Sequence, residues 1–358
     1  MNVVFDTHSV KEIADEISVA VRTVKRWKDS QKIPNSYRAD IMKLMGVSVD
    51  YKAFSYSEKD QYFTPHAIAE YCIKKTFEII KLNQDDPEDF WFIEPSAGDG
   101  SFFKLLPESR RIGLDIEPRH AGITQQDYLE YSPPPPTSTS TSMSTSMSTQ
   151  QGKYVVIGNP PFGLRGNLAL RFINHSYEFA DYVAFILPPL FDSDGRGACR
   201  KRVHEGYHLA HTEKLLETEK PFIDPEDRPV KVETIFQIWT RRGKATPAEA
   251  VTEVEHGFKV YSLSDGGNSS TTRNKAKLTT CDVYLPRTCF GIHNMRAYDT
   301  FENLPNRRGY GVCFFEDKNS SNRAAHARQI LWSDVAFRST NAALNLRQSL
   351  ICNACLLI

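Results

Sequence analysis

The sequence predicts an α/β protein: a Rossmann-like, doubly wound sheet with a helical helix-turn-helix segment at its N-terminal end and an accessory region at its C-terminal end. Three observations predict it. Between residues 58 and 242, five short apolar runs each stop at a turn before the next segment begins. The residues able to do chemistry stand where those runs stop, which is where ligands of an open parallel sheet bind. Residues 11–27, KEIADEISVAVRTVKRW, carry apolar residues at the spacing of two short helices.

Bulk composition narrows the class. A chain of 358 residues has room for one substantial α/β domain and smaller additions. Its 44 basic side chains are matched by 44 acidic ones, which argues against a wholesale polyanion binder but leaves room for a local basic patch. No signal peptide opens the chain, and no apolar run approaches the ~20 residues needed to span a bilayer. Seven scattered cysteines fit a reduced, intracellular protein with no membrane partner. Cys352-x-x-Cys355 has no second pair at matching spacing, so it reads as small apolar residues and no metal is expected.

Residues 1–52 are expected to be helical. Ile13, Ala14, Ile17, Val19, Val24 and Trp27 point inward, and the second helix presents Arg22, Thr23, Lys25 and Arg26 to nucleic acid. Ser18 stands at the turn, where glycine is usual. A small bundle with a basic solvated face has the same pattern. The sheet domain is placed at 58–132 and 153–242. QYFTPHAIAEYCI puts Pro65 at a helix start, with Ile68, Tyr71 and Cys72 at apolar positions.

The first strand run ends at Glu94, followed by Pro95-Ser96-Ala97-Gly98-Asp99-Gly100, and Ser101 and Phe102 are expected to open a helix. The glycines let backbone approach a ligand, although the loop alone is also an ordinary tight turn. It lacks the Lys-Ser/Thr of a phosphate loop and the spacing of a dinucleotide fingerprint. RRIGLD ends at Asp115, about twenty residues on, the distance at which an acid accepts ribose hydroxyls or, standing alone, caps a turn. QQDYLEY, outside those five runs, places Asp127 at a third strand end, with Tyr128 beside it, where a carboxylate can accept from an adenine amine.

Residues 133–152 have no core-forming side chain except two methionines and are expected to be a disordered surface insertion. KYVVIGNPPFG, DYVAFILPP and VETIFQIWTRR resume the strand pattern. Residues 243–280 are expected to be a polar linker. Residues 281–358 form the accessory region, with Arg287, Arg296, Arg307 and Arg308 among aromatics.

Taken in order, YFTPHA, EPSAGDG, GLDIEP, QQDY and GNPPFG resemble the motifs of the S-adenosylmethionine-dependent DNA adenine-N6 methyltransferases of the gamma arrangement. The resemblance covers roughly residues 60–242. It implies S-adenosylmethionine as cofactor, held by Thr64, Pro65, Glu94, Pro95, Ala97, Gly98, Gly100, Asp115, Ile116, Asp127, Tyr128 and Asn159. It implies catalysis by Asn159, Pro160, Pro161 and Phe162 on an extruded base, DNA as partner, and target recognition by residues 281–358. An RNA adenine-N6 methyltransferase shares the NPPF motif. A DNA-binding protein that holds cofactor without turnover is the other alternative.

The motif has a physical rationale. A ring-conjugated amine is a poor nucleophile, and acceptors against its hydrogens free its lone pair. Asn159 offers a side-chain carbonyl and Pro160 a backbone one. Tandem prolines fix φ near about −65° and bring no competing donor. Phe162 offers a stacking face, a contact worth roughly 1–3 kcal/mol per base.

Overall fold

Short, nearly continuous apolar runs, buried on both faces, build the central sheet. In the computed structural model, β1 (Trp91–Glu94), β2 (Arg111–Asp115), β3 (Thr124–Gln125), β4 (Tyr154–Gly158), β5 (Tyr182–Leu187), β6 (His208–Lys214) and β7 (Ile235–Thr240) lie in the order β3-β2-β1-β4-β5-β7-β6. Neighbours from β3 to β5 are parallel, and β7 is antiparallel to both β5 and β6. This is a Rossmann-like, doubly wound sheet. The structure describes residues 3–56, 58–134, 153–192, 198–215, 222–230, 233–243, 257–267, 271–315, 320–338 and 343–356. The insertion expected over 133–152 therefore lies, beyond residue 134, outside the described residues.

Each face of the sheet is covered by one long helix. Ile93, Val156, Val183 and Phe185 pack with Ala169, Leu170 and Ile173 of the helix Asn167–Ser176. Phe92, Val155, Ile157 and Ile186 pack with Ile68, Cys72, Ile73 and Ile80 of the helix His66–Leu82. Each such side chain contributes roughly 1.5–3 kcal/mol on burial. Tyr71 departs from its expected apolar position: it is exposed, and its hydroxyl donates to Glu213 at 2.9 Å.

The helix expected from Ser101 and Phe102 does not form. Only a 3-10 turn, Phe103–Leu105, follows the glycine loop. Pro107 comes too soon for an α-helix to propagate. The ring of Phe103 fills the space instead, packing with Ala97 and Ile123, and a Cβ on Gly113 would lie 2.8 Å from it. β6 has no counterpart among the five runs, because HLAHTEK places polar residues on both faces.

The N-terminal helices belong to the same compact unit, Met1–Phe191 with Cys199–Thr246. Ser9 and Glu12 form a reciprocal capping box that starts the helix Val10–Glu16. The helix Val21–Ser30 follows, and Ile13, Ala14, Ile17, Val24 and Trp27 are buried between them. Arg22, Lys25 and Arg26 are exposed, and Thr23 is half-buried. The turn between the helices rests on the start of the helix Asn167–Ser176. Asn167 Nδ2 donates to the Ile17 carbonyl at 3.2 Å, and Arg202 donates to the Ser18 carbonyl at 3.1 Å.

Ser18 itself has φ +54°. The left-handed region costs an L-residue roughly 1–2 kcal/mol, against about 0.5–1 kcal/mol of extra chain entropy for glycine. Ser18→Gly is therefore expected to stabilise the protein by roughly 0.5–1 kcal/mol. An upward shift of the urea midpoint at unchanged slope would show it.

The second unit, Asp192–Ala198 with Pro247–Ile358, has its own core. β8 (Phe258–Ser264), β9 (Val283–Pro286) and β10 (Arg308–Phe314) form an antiparallel sheet in the order β8-β10-β9. The linker expected over 243–280 is thus corrected: Phe258–Ser264 is a paired strand, with Phe258 and Val260 in the core. The helix Gln348–Cys355 packs on the same core and buries Ile351, Cys352 and Cys355. Arg287, Arg296, Arg307 and Arg308 are exposed near the exposed Phe290 in sequence. Arg296 lies over the Tyr298 ring, and Arg307 pairs with Asp265 at 2.6 Å.

Candidate active site

The carboxyl ends of β1 to β4 surround one cleft. It contains about 700 Å³ of empty space, part of it open to solvent. The strand order reverses between β1 and β4, the position where such sheets receive ligands. The β1 end contributes Glu94, Pro95, Ala97 and Gly98; the β2 end Asp115 and Ile116; the segment after β3 Asp127 and Tyr128; and the β4 end Asn159 and Pro161. Thr64 joins them from the segment ahead of β1. Residues spread over a hundred positions are thereby brought to one wall.

Asp115 is buried. Its Oδ2 accepts from the Gly98 amide and its Oδ1 from the Glu117 amide, both at 2.7 Å. Burial pushes its carboxyl above the usual range, against the pull of those two amides. Each oxygen retains further acceptor capacity toward the cleft. Gly98 has φ +47°, and a Cβ there would lie 3.1 Å from the Phe63 ring.

Glu94 is fully buried and accepts from the Phe103 amide at 2.6 Å. Burial raises its pKa well above the ordinary value, with Asp99 and Asp115 adding to the effect.

Asp127 stands on the wall but is already engaged. Its Oδ2 accepts from Lys43 and from the Tyr51 hydroxyl, and its Oδ1 caps the Leu129 amide. An adenine amine arriving there would share the carboxylate with Lys43, a partner 84 residues away in sequence. Tyr128 packs into the core against Phe172, and its hydroxyl pairs with Ser176 at 2.7 Å.

Pro65 is the N-cap of the helix His66–Leu82, and Gly100 holds φ +83°. Neither forms part of the cleft wall, and the same is true of Pro160 and Phe162. Phe162 is half-buried beyond the wall.

The Asn-Pro-Pro-Phe loop is tied down at several points. The Asn159 carbonyl accepts from Ser96 Oγ at 3.1 Å, linking it to the β1 loop. The Phe162 carbonyl accepts from the Leu168 and Ala169 amides. Gly163 has φ +66°, and a Cβ there would sit 2.6 Å from Leu168 Cβ. Its amide donates to Asp60 Oδ2 at 2.5 Å. Asn159 Oδ1, in contrast, is buried and has no partner among the described residues. An acceptor left so costs about 1–3 kcal/mol, and this one lines the cleft.

Reading the sequence alone missed Lys59, Asp60 and Gln61, which also line the cleft. Lys59 pairs with Glu117 across the β2 end. The sole sequence signal was the polar EKDQ directly before Tyr-Phe-Thr-Pro. Arg22, Thr23, Lys25 and Arg26 are not part of this cleft. No group of metal-ligating side chains occurs among the described residues.

No protein-family model matches the chain, and no curated protein matches it by sequence. Among solved structures, it is similar to a Pyrococcus horikoshii protein assigned as an RNA methyltransferase. Identity is 15%, coverage 56% of this chain and 97% of that one, and the TM-score 0.36. It is also similar to a Listeria monocytogenes protein assigned as a class I S-adenosylmethionine-dependent methyltransferase, at 12% identity, 70% and 90% coverage and a TM-score of 0.35. The 23S rRNA methyltransferase ErmE matches at 15% identity, 51% and 73% coverage and a TM-score of 0.30. Scores this low carry no functional argument. Among the described residues, no helix is long and apolar enough to cross a membrane.

Proposed function

We propose that the chain is an S-adenosylmethionine-dependent adenine-N6 methyltransferase acting on DNA. The observation that supports it best is Asn159 Oδ1, a buried acceptor without a partner, placed in the cleft that also holds Asp115 and Glu94. An exocyclic amine is the donor that such an acceptor suits. The residues fit the cofactor: Asp115 and the close-approach Gly98 suit a ribose, Asp127 an adenine edge, and Thr64 and Glu94 the amino-acid end. S-adenosylmethionine, when bound, supplies a methyl group already activated on a sulfonium.

The protein's part is then alignment. Asn159 Oδ1 accepts from the amine and favours a tetrahedral nitrogen; Pro160, expected as the second acceptor, is not part of the cleft wall. The tie from Ser96 to the Asn159 backbone and from Asp60 to Gly163 hold this loop in place. Phe162, outside the cleft wall, stacks on a base that enters from the open side. The base is taken out of its duplex to arrive there.

DNA rather than RNA is favoured by the N-terminal helix pair, whose second helix exposes Arg22, Lys25 and Arg26. The turn of that pair touches Asn167, four residues beyond Gly163. Deleting residues 1–52 would also remove Lys43 and Ile17 from the catalytic unit, so point changes are the cleaner test. Replacing Arg22, Lys25 and Arg26 together by alanine is expected to lower the salt slope of duplex binding by about two to three units. Fluorescence anisotropy across a salt series would measure it, and an unchanged slope would remove this helix from the DNA interface.

A further inference from the structure

Besides Asn159, one other cleft-lining residue carries a buried side-chain acceptor without a partner among the described residues: Gln61, through Oε1. Its place is fixed by its neighbours. Asp60 adopts a left-handed φ of +49° and binds the Gly163 amide. The Gln61 amide donates to the Tyr56 carbonyl at 3.0 Å. Phe63 exchanges two backbone hydrogen bonds with Ile223, at 2.7 and 3.2 Å. The segment that carries Gln61 is thus tied at one end to the Asn-Pro-Pro-Phe loop and at the other to the Phe222–Ile223 strand.

We propose that Gln61 reads the target adenine directly: Oε1 accepts from the exocyclic amine, and Nε2 donates to the neighbouring ring nitrogen. The inference rests on the reading of this cleft as an adenine-N6 site. A side-chain amide presents one acceptor and one donor side by side. That pair matches an adenine edge, where an amine N–H stands next to an unprotonated ring nitrogen, and glutamine is a standard partner for such an edge. An amine also has two hydrogens, and the cleft wall carries two unpartnered side-chain acceptors, on Asn159 and Gln61. Gln61 therefore supplies a choice of base that the Asn-Pro-Pro-Phe loop does not make alone.

The test uses the full-length protein and duplex oligonucleotides whose target adenine is normal, 7-deaza or 1-deaza. Gln61→Leu is expected to lower kcat/KM on normal adenine about 10- to 100-fold, mainly through KM. Calorimetric affinity for S-adenosylmethionine should stay within about twofold, as for any residue that does not touch the cofactor. Wild type should lose rate on one of the two deaza substrates, and Gln61→Leu should show no such loss. Gln61→Glu, which is isosteric and keeps the acceptor while losing the donor, should also be insensitive to that deaza change. It carries the test should the leucine variant melt early.

A full deaza penalty persisting in both variants would overturn the proposal. So would a loss of cofactor affinity at an unchanged melting temperature, which would give the contact to the cofactor's ammonium group. The two levels of inference fail differently. If wild type methylates no adenine, the function is wrong. If wild type is active, Asn159→Ala is dead and Gln61→Leu is normal, only the role of Gln61 is wrong.

Discussion

Asn159→Ala is expected to lower kcat a hundredfold to a thousandfold while leaving S-adenosylmethionine affinity nearly unchanged. The side-chain carbonyl acts on the amine as its nitrogen becomes tetrahedral, so most of its interaction is made in the transition state. One positioned group of this kind is worth about 2.7–4 kcal/mol. Stability should move the other way or not at all. Asn159 Oδ1 is buried and unpartnered, so removing it relieves a desolvated acceptor rather than breaking a bond. The loop keeps its tie through the Asn159 backbone carbonyl to Ser96. The signature is therefore a large fall in turnover with a melting temperature equal to or above that of wild type. A variant that lost turnover together with stability would place Asn159 in the scaffold instead.

Asp115→Ala is expected to weaken S-adenosylmethionine binding about tenfold to a hundredfold, the roughly 1.5–3 kcal/mol of a charge-assisted hydrogen bond. The loss has two sources. The ribose acceptor goes, and so does the clamp that Asp115 places on the Gly98 amide. Asp115→Asn keeps one acceptor oxygen but sets its NH2 against the Gly98 or the Glu117 amide, so it too should weaken binding. The sign with pH also follows. Burial raises this carboxyl above its ordinary range, and hydroxyl donors favour its ionised form. Affinity should therefore weaken as pH falls through the raised pKa, and that part of the pH dependence should be absent in Asp115→Asn. Calorimetric titration at several pH values measures both; unchanged affinity in Asp115→Ala would remove the residue from the cofactor site.

The parts of this cleft that were legible in the sequence are the ones encoded locally. Glu94, Asp115 and Asn159 each stand at the end of an apolar strand run, Asp127 follows the short polar β3, and strand ends of a parallel sheet converge by geometry. What could not be read was set by distant chain. Lys43 reaches Asp127, and Asp60 reaches Gly163 across 103 positions, with nothing in either local pattern to announce the pairing. β6 was missed because His208–Lys214 is polar on both faces and becomes a strand through pairing with β7. Phe258–Ser264 was hidden by the polar residues that follow it, although Phe258 and Val260 fill the core of the second unit. The helix expected at Ser101 is stopped for a local reason, Pro107, which stands in the sequence six residues on.

The most direct measurement is methyl transfer from radiolabelled S-adenosylmethionine to duplex DNA, single-stranded DNA and RNA in parallel, each then hydrolysed to nucleosides. Label is expected in N6-methyladenine from DNA and should fall a hundredfold or more in Asn159→Ala. Label confined to adenine from RNA would leave the chemistry standing and replace the substrate. Label in no adenine from any of the three, with wild type folded and binding the cofactor, would contradict the assignment of the Asn159 cleft as an adenine-N6 methyltransferase site.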